Sequence, residues 1–372
     1  MSHKLKKYIK NKLASKKWSP HKSPIKLKYD FLITIPSYSE YDYINKTLES
    51  IGRQNQHLLD KTLVSITINN SNQEDSSIVS NNEKTYNELL KSNYNFEILL
   101  IDAYSKKKSV EIKNAGVGMA RKIGVDSCLN YLHANSLIIF IDADTTLSNN
   151  YLSKVYSSYE KYNWEGATVN FEHNRDFPET AQFIAEYENF LKETSDKLSK
   201  SGSPYSYVPL GSTMISTLNG YIAIGGMNRK KAAEDFYFLQ ELEKYTGVHK
   251  INDILVYPSS RYLTRTYLGT STRLKKCLDG ELDMKSFYYS DFSFEVLRKW
   301  IELALNSNQK KCELILIGAE KINLKLKEFL IEQNINKSWE SIRTAPTDTH
   351  FINQFHKWFD AFKTLKLLKL FS

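Results

Sequence analysis

The sequence predicts an α/β fold, with a mainly parallel central sheet flanked by helices and a mostly helical C-terminal extension. Three observations lead there. Short apolar runs alternate with helix-period stretches between Tyr29 and Phe171, the pattern of successive βαβ units. The runs are rich in Ile, Leu, Val and Phe without polar alternation, as strands covered on both faces are. From about Ser286 the pattern becomes helical, and only Glu313–Ile317 reads as extended.

In chain order, strands are expected at Phe31–Ile35, Leu63–Ile68, Phe96–Ile101, Leu137–Ile141 and Ala167–Phe171. Apolar residues three and four apart predict helices over Tyr43–Arg53, Asn82–Leu90, Gly118–Leu132 and Tyr151–Tyr159, then a long one over Phe177–Leu198. A Gly/Ser/Pro-rich loop follows at Ser201–Tyr207. The chain therefore divides into a basic tail (1–28), an α/β domain (29–285) and a helical region (286–372) ending in an amphipathic helix.

The formal charge of the 372 residues is +9, but ten lysines and no acid lie between Met1 and Lys28. Beyond them, 41 of the 51 basic residues face 42 acidic ones, so the body has no positive surplus with which to track nucleic acid. Cys128, Cys277 and Cys312 are odd in number and far apart, which supports neither a disulfide framework nor a Cys-based zinc site. No secretory signal and no membrane-spanning apolar stretch is found, so the expected location is the cytoplasm. Two basic ends qualify this. The C-terminal stretch places Phe355, Trp358, Phe359, Phe362, Leu365 and Leu368 largely on one face, and its lysines mostly elsewhere. Such ends suit peripheral binding at the anionic inner face of a membrane; equally, they suit a C-terminal helix packed on the body and a disordered N-terminal tail.

In open α/β sheets, ligands bind past the carboxyl ends of the strands. There the chain places Pro36-Ser37-Tyr38-Ser39-Glu40, Asn69-Asn70-Ser71-Asn72, Asp102 and Asp142-Ala143-Asp144. Alternation puts Asp142 and Asp144 on one side, where two hard oxygen ligands suit Mg²⁺ or Mn²⁺; Asp144-Thr145-Thr146 reads equally as a helix cap. Glu234-Asp235 precedes an aromatic run, and the pair reads either as a general base held on the core or as first-turn acids favoured by the helix dipole. Gly116-Val117-Gly118-Met119-Ala120-Arg121 lacks the third glycine and the preceding strand of a dinucleotide fingerprint. It still opens a helix toward a nucleotide. Arg261, Arg265 and Arg273 surround a Gly/Ser/Thr segment and offer phosphate partners. Hydrolase elbows, P-loops and histidine metal spacings are missing.

In this order the motifs resemble family 2 glycosyltransferases of the GT-A fold, from about Tyr29 to Arg273. Ile33–Glu40 is similar to that family's donor-binding opening, Gly116–Gly124 to its Gly-x-x-x-Ala-Arg helix, and Asp142–Asp144 to its metal motif. Gly225-Gly226-Met227 with Glu234-Asp235-Phe236 resembles its Gly-Gly and Glu-Asp signature. The resemblance implies a GT-A-type nucleotide-binding fold. It implies inverting, hexosyltransferase-type transfer from a nucleotide-sugar, by default a UDP-sugar, to a hydroxyl of a glycan or lipid-linked acceptor in cell-surface polysaccharide synthesis.

Carried over residue by residue, it implies Mn²⁺ or Mg²⁺ at Asp144, with Asp142 on the ribose or a metal-bound water. Asp235 becomes the base, with Glu234 beside it. Pro36, Tyr38, Glu40, Asn69, Asn70, Gly118 and Arg121 join the nucleotide-sugar site, Arg121 near the base. Arg261, Arg265, Gly225 and Gly226 lie on the diphosphate or acceptor side, and Gly211–Met214 shapes the acceptor side. Where the family usually presents an aspartate after the second strand, this chain has Asn69-Asn70-Ser71, which leaves Asp102 as a stand-in. A nucleotidyltransferase would want a Gly-rich basic loop after the first strand, and none is present. The alternative of another class is a catalytically degenerate GT-A-like module that docks at membranes through its basic termini.

Overall fold

The computed structural model describes residues 3–14, 16–261, 275–277, 279–281 and 283–372. They form two compact units, Met1–Ile184 with Pro209–Asp279, and Ala185–Val208 with Gly280–Ser372.

The first unit is built on eight strands: β1 (Tyr29–Ser37), β2 (Thr62–Asn69), β3 (Glu97–Ala103), β4 (Leu132–Phe140), β5 (Thr146–Leu147), β6 (Gly166–Phe171), β7 (Met214–Thr217) and β8 (His249–Tyr257). They lie in the order β3-β2-β1-β4-β7-β6-β8-β5. Parallel pairing joins β1 to β2 and β4, β2 to β3 and β6 to β8. Antiparallel pairing joins β7 to β4 and β6, and β5 to β8. All five expected strands are present in a mainly parallel sheet. The other three were unreadable from pattern: β5 has two residues, β7 has four that are all buried, and β8 mixes charge with apolar positions.

β1 is central because Ile33 sits between Val64 of β2 and Ile139 of β4, all fully buried. Each such side chain contributes roughly 1.5–3 kcal/mol. Helix Val117–Asp126 lies on this layer and ends earlier than expected, because a 3-10 turn at Leu129–Tyr131 and β4 take up the following residues. Its close approach depends on Gly124. A Cβ there would collide with Thr34 Oγ1 and lie 3.0 Å from Thr67 Oγ1.

The N-terminal residues, expected as a disordered or membrane-proximal tail, are packed. Helix His3–Asn11 buries Leu5 and Tyr8. The Tyr8 hydroxyl donates to Asp126 Oδ1 at 2.8 Å and accepts from Lys122 Nζ at 2.5 Å, while the Ala14 amide donates to Asp126 Oδ2 at 2.7 Å. Trp18 joins Met119 and Ile123 in a small cluster. Further on, the His21 amide donates to the Leu100 carbonyl at 2.9 Å. Apolar anchors spaced among lysines explain the difference: Leu5, Tyr8 and Trp18 are too few to read as a core pattern, yet each finds a slot.

The second unit is helical, with helices at Asp291–Leu305, Cys312–Ile322, Leu324–Glu332, Ile335–Arg343, Asp348–Trp358 and Ala361–Leu370. Residues 185–208, expected in the α/β domain, belong here, and Leu198 sits in its core with Trp300, Trp339, Phe351, Phe355 and Phe359. The run Glu313–Ile317 is helical, with Ile315 turned inward and Leu314 and Ile317 exposed. Most of the terminal apolar face is turned inward, with Phe362 left exposed. Phe355, Phe359 and Leu368 are buried, and the Trp300 ring lies 5.8 Å from Phe355 and 5.9 Å from Phe359. The single amphipathic helix expected there is two, because Asp360 caps a new one by accepting from the Lys363 amide. Among the described residues no helix is long and apolar enough to cross a membrane.

Gly124→Ala is expected to destabilise the protein by about 1–3 kcal/mol through overpacking, read as a lower urea midpoint. Adding Thr34→Ala removes the obstructing hydroxyl, so the double variant should lose less than the sum of the singles. Additive losses would mean that the helix contacts the sheet elsewhere.

Candidate functional site

The carboxyl edge of the sheet carries two arginine-centred clusters. The first is built on Arg121, in the second turn of helix Val117–Asp126, with its side chain almost completely buried. Its Nη2 donates to Asp142 Oδ1 at 2.5 Å, and its Nη1 donates to Glu234 Oε1. Burial works against the charge of this guanidinium, and the carboxylates of Asp142, Glu234 and Asp235 outweigh it, so its pKa lies above the ordinary arginine value. Space for it is made by Gly211, where a Cβ would collide with the guanidinium.

Asp142 follows β4 directly. Ser212 Oγ donates to Asp142 Oδ2 at 2.8 Å and in turn accepts from the Asp142 amide at 3.1 Å. Both carboxylate oxygens of Asp142 are thus engaged. Glu234 and Asp235 open helix Glu234–Thr246 after Ala233, a residue held in the left-handed region. This helix is anchored by Phe238, whose ring packs edge-on against Phe140 with 5.1 Å between centroids. Phe140 ends β4, so one aromatic contact sets the distance between the two acidic motifs.

The second cluster is built on Arg261. Its Nη2 donates to Glu40 Oε1 and Oε2 at 2.6 and 2.5 Å, and its Nε donates to Asp144 Oδ2 at 2.8 Å. The guanidinium lies 3.9 Å from the Tyr43 ring centroid, a stacked cation–π geometry. Glu40 arrives through the bend after β1, where Ser39 adopts a positive φ of 57°. Burial pushes the Asp144 carboxyl up to about 6; Arg261 pulls it down, and Glu40 and Asp142 add to the rise. Asp235 is pushed up to about 7, first by burial and then by the neighbouring Glu234 charge.

Several expected placements differ. Asp142 and Asp144 do not act as a matched pair but turn to different arginines, and the helix cap once open to Asp144 is replaced by β5. Arg121, expected near a nucleotide base, is a buried bridge between the acidic motifs. Gly118 serves packing: a Cβ there would fall 2.8 Å from the Asn228 carbonyl oxygen and 3.0 Å from Glu234 Cβ. Gly225 and Gly226 have φ of 87° and 77°, and a Cβ on Gly226 would collide with the Tyr8 hydroxyl. They form the turn beside the N-terminal helix. Arg265 and Arg273, with Gly269-Thr270-Ser271-Thr272, lie outside the described residues.

At the carboxyl ends of β1 and β2, Pro36 and Ser37 pair with Thr67 and Ile68, and Tyr38 leads into the Ser39 bend. Asn70 is committed to the loop: its Nδ2 donates to the Ser71 and Tyr104 carbonyls at 2.8 and 3.2 Å, and its Oδ1 accepts from Asn82 Nδ2 at 2.9 Å. Asn69 Oδ1 is buried and has no hydrogen-bond partner among the described residues. An unsatisfied acceptor of this kind is costly and calls for a donor, from water or from a ligand. Asp102 accepts from the Tyr104 and Ser105 amides and the Ser105 hydroxyl, so it is occupied as a turn former. Asn82 and Tyr43 were not singled out from sequence, since an Asn on a helix and a Tyr after a bend carry no motif. Ser212 was flagged only as part of the run Gly211–Met214.

The donor set is oxygen only. Among the described residues no three His, Cys, Asp or Glu side chains gather as a metal cage. Small divalent cations are commonly held by one or two carboxylates together with substrate phosphates, and Asp144 Oδ1 carries no hydrogen bond among the described residues. Five carboxylates (Glu40, Asp142, Asp144, Glu234, Asp235) face two guanidinium groups. Of the five, Asp144 has an oxygen left to take part in holding such a cation.

No family model matches the sequence, and no curated protein matches it. Among solved structures, the chain is similar to S. aureus TarS residues 1–349 in complex with UDP-GlcNAc, with 13% identity, a TM-score of 0.44, and coverage of 84% of this chain and 92% of that one. It is also similar to the mannosyltransferase PcManGT from Pyrobaculum calidifontis in complex with GDP-Man and Mn²⁺, with 12% identity, a TM-score of 0.41, and coverage of 95% and 94%.

Arg261→Ala leaves Glu40 and Asp144 facing each other without their counter-charge. A loss of about 3–5 kcal/mol is expected at neutral pH, as for breaking a buried ion pair, measured by urea unfolding. Arg261→Lys should recover only part of it, because one ammonium cannot reproduce the forked geometry.

Proposed function

We propose that the chain is a metal-dependent, inverting glycosyltransferase that moves a sugar from a nucleotide-sugar, by default a UDP-sugar, to a hydroxyl of a glycan or lipid-linked acceptor in cell-surface polysaccharide synthesis. The observation that carries this reading is the Arg121 bridge. It draws the carboxylate after β4 and the acidic pair opening helix Glu234–Thr246 into one hydrogen-bonded cluster at the carboxyl edge of the sheet.

The two acids of the pair have different tasks. Glu234 is bound by Arg121. Asp235 accepts from the Phe236 amide at 2.7 Å and has a pKa pushed up to about 7, which suits a general base near neutrality. Asp235 takes the proton of the acceptor hydroxyl. The acceptor oxygen forms its bond to the anomeric carbon as the bond to the diphosphate breaks on the opposite face, which inverts the configuration. A divalent cation held at Asp144, when bound, supplies positive charge for the departing diphosphate. Arg261 holds Glu40 and Asp144 in place for that task, and Asn69 Oδ1 offers an acceptor to the nucleotide.

The test presents UDP-, GDP- and dTDP-sugars with Mn²⁺, Mg²⁺ or chelator and follows nucleotide release with and without candidate acceptors. Metal-dependent release from one donor is expected. Asp235→Asn should lower kcat by about 10²–10⁴-fold, the span of general acid–base catalysis, with donor KM little changed. Asp144→Asn should abolish the response to metal. For the wild type, kcat/KM should fall as the pH drops below about 7, because the protonated Asp235 cannot accept a proton. Metal-dependent nucleotide binding without turnover would point to a missing acceptor, and the absence of such binding would favour the binding-only module instead.

A further inference from the structure

The lysines of the N-terminal helix do not stand alone. Lys12 lies beside Gly225, with Cε 3.9 Å from a Cβ built there, and Arg229 Nη2 donates to the Leu13 carbonyl at 3.3 Å. Helix His3–Asn11 and the loop carrying Arg229, Lys230 and Lys231 are therefore one surface. These three side chains are exposed, as are those of Lys10 and Lys12, and none of the five pairs with a carboxylate among the described residues. Like charges so placed repel one another. Their field reaches the buried Lys122, whose ammonium is lowered first by burial and further by Arg229 and Lys12, against the pull of Asp126. A concentration of uncompensated charge of one sign attracts an oppositely charged partner.

The surface adjoins the candidate site. A Cβ on Gly116 would fall 2.9 Å from Lys231 Cα, and one on Gly118 would fall 3.0 Å from both the Lys230 carbonyl oxygen and Glu234 Cβ. The Lys230 ammonium rests 3.1 Å from the centroid of Tyr237, two residues past Asp235. The basic rim thus borders the end of the site that carries the proposed base.

We infer that this rim docks an anionic polymer, a chain with closely spaced phosphate or carboxylate groups, and that such a chain is the acceptor of the proposed transfer. The acceptor assignment rests on the transferase reading; the docking does not. A polymer fits better than a membrane because the rim has charge without apolar anchors. Of the apolar side chains of this helix, Leu5 and Tyr8 are buried against the body and Ile9 is half-buried, so none projects freely as an anchor. The exposed Ile25 and Leu27 lie elsewhere, flanked by lysines that bond the carbonyls of Asp60 and Leu132, at the end of the sheet where β2 and β4 begin. Membrane-surface helices combine a basic face with an apolar face that inserts.

The test uses the full chain and measures binding to long-chain inorganic polyphosphate, poly-L-glutamate, neutral dextran and phosphatidylcholine vesicles containing phosphatidylglycerol. Both anionic polymers should bind with an affinity that falls linearly in log–log form with salt, and dextran should not bind. Lys12→Glu with Lys231→Glu should weaken polymer binding by about tenfold or more, while the control Lys321→Glu with Lys325→Glu should leave it unchanged. Lys7→Glu with Lys10→Glu repeats the test should the first pair alter the thermal melt. Equal losses in rim and control variants would reduce the effect to net charge and overturn the inference, as would no loss in either rim variant. Vesicle binding tighter than polymer binding and lost in the rim variants would assign the face to a membrane instead. None of these readouts involves turnover, so a failed transferase assay leaves them interpretable.

Discussion

The buried guanidinium of Arg121 is the constraint around which the first unit is organised. Desolvating an arginine is costly and is offset only when its donors meet carboxylates in good geometry. Here the carboxylates come from two distant places, the turn after β4 and the start of helix Glu234–Thr246. Neither segment can shift without stranding a charge. The surroundings show the same dependence: Gly211 leaves room for the side chain, Gly118 lets the helix that carries it lie under the loop 228–231, and Ser212 holds the remaining oxygen of Asp142.

Around this centre the charge is layered. The sheet edge concentrates acids, more of them than its two arginines neutralise, whereas the adjoining outer face concentrates lysines. An acidic interior favours cations and an outer basic face favours anions, so on the proposed reading the two layers select for different components of one reaction. The near-neutral balance of the sequence beyond Lys28 conceals the part of this arrangement built by Arg229, Lys230 and Lys231, whose charges cancel in the sum against the acids and join the N-terminal lysines only on folding.

Much of the fold was legible because doubly covered strands leave a simple trace. The runs at Phe31, Leu63, Phe96, Leu137 and Ala167 are apolar on both faces, and all appear in the sheet. β7 left no trace, since four buried residues have no periodicity, and β8 left little because charged residues interrupt it. The terminal segments misled for a related reason. Lysine-rich composition dominates the reading of residues 3–22, yet composition does not report that Tyr8 and Trp18 each meet a fitted slot; at the other end, the amphipathic face was real but finds its partner inside its own unit. For the site, the acidic motifs were visible as short strings at the expected places. Their pairing with Arg121 and Arg261 was not, because ion pairs across 21 to 221 positions have no local signature. The separate fates of Asp142 and Asp144 follow from that pairing.

Tyr8 makes its contacts across long stretches of chain, to Asp126 through a hydrogen bond spanning 118 positions and to Tyr221 through a ring contact of 5.9 Å. A nine-residue helix has little stability by itself in water. The helix therefore forms only where Asp126 and Tyr221 are already in place to receive Tyr8. Its docking is coupled to the Gly225-Gly226 turn, where a Cβ on Gly226 would collide with the Tyr8 hydroxyl, so a change at either place is felt at the other.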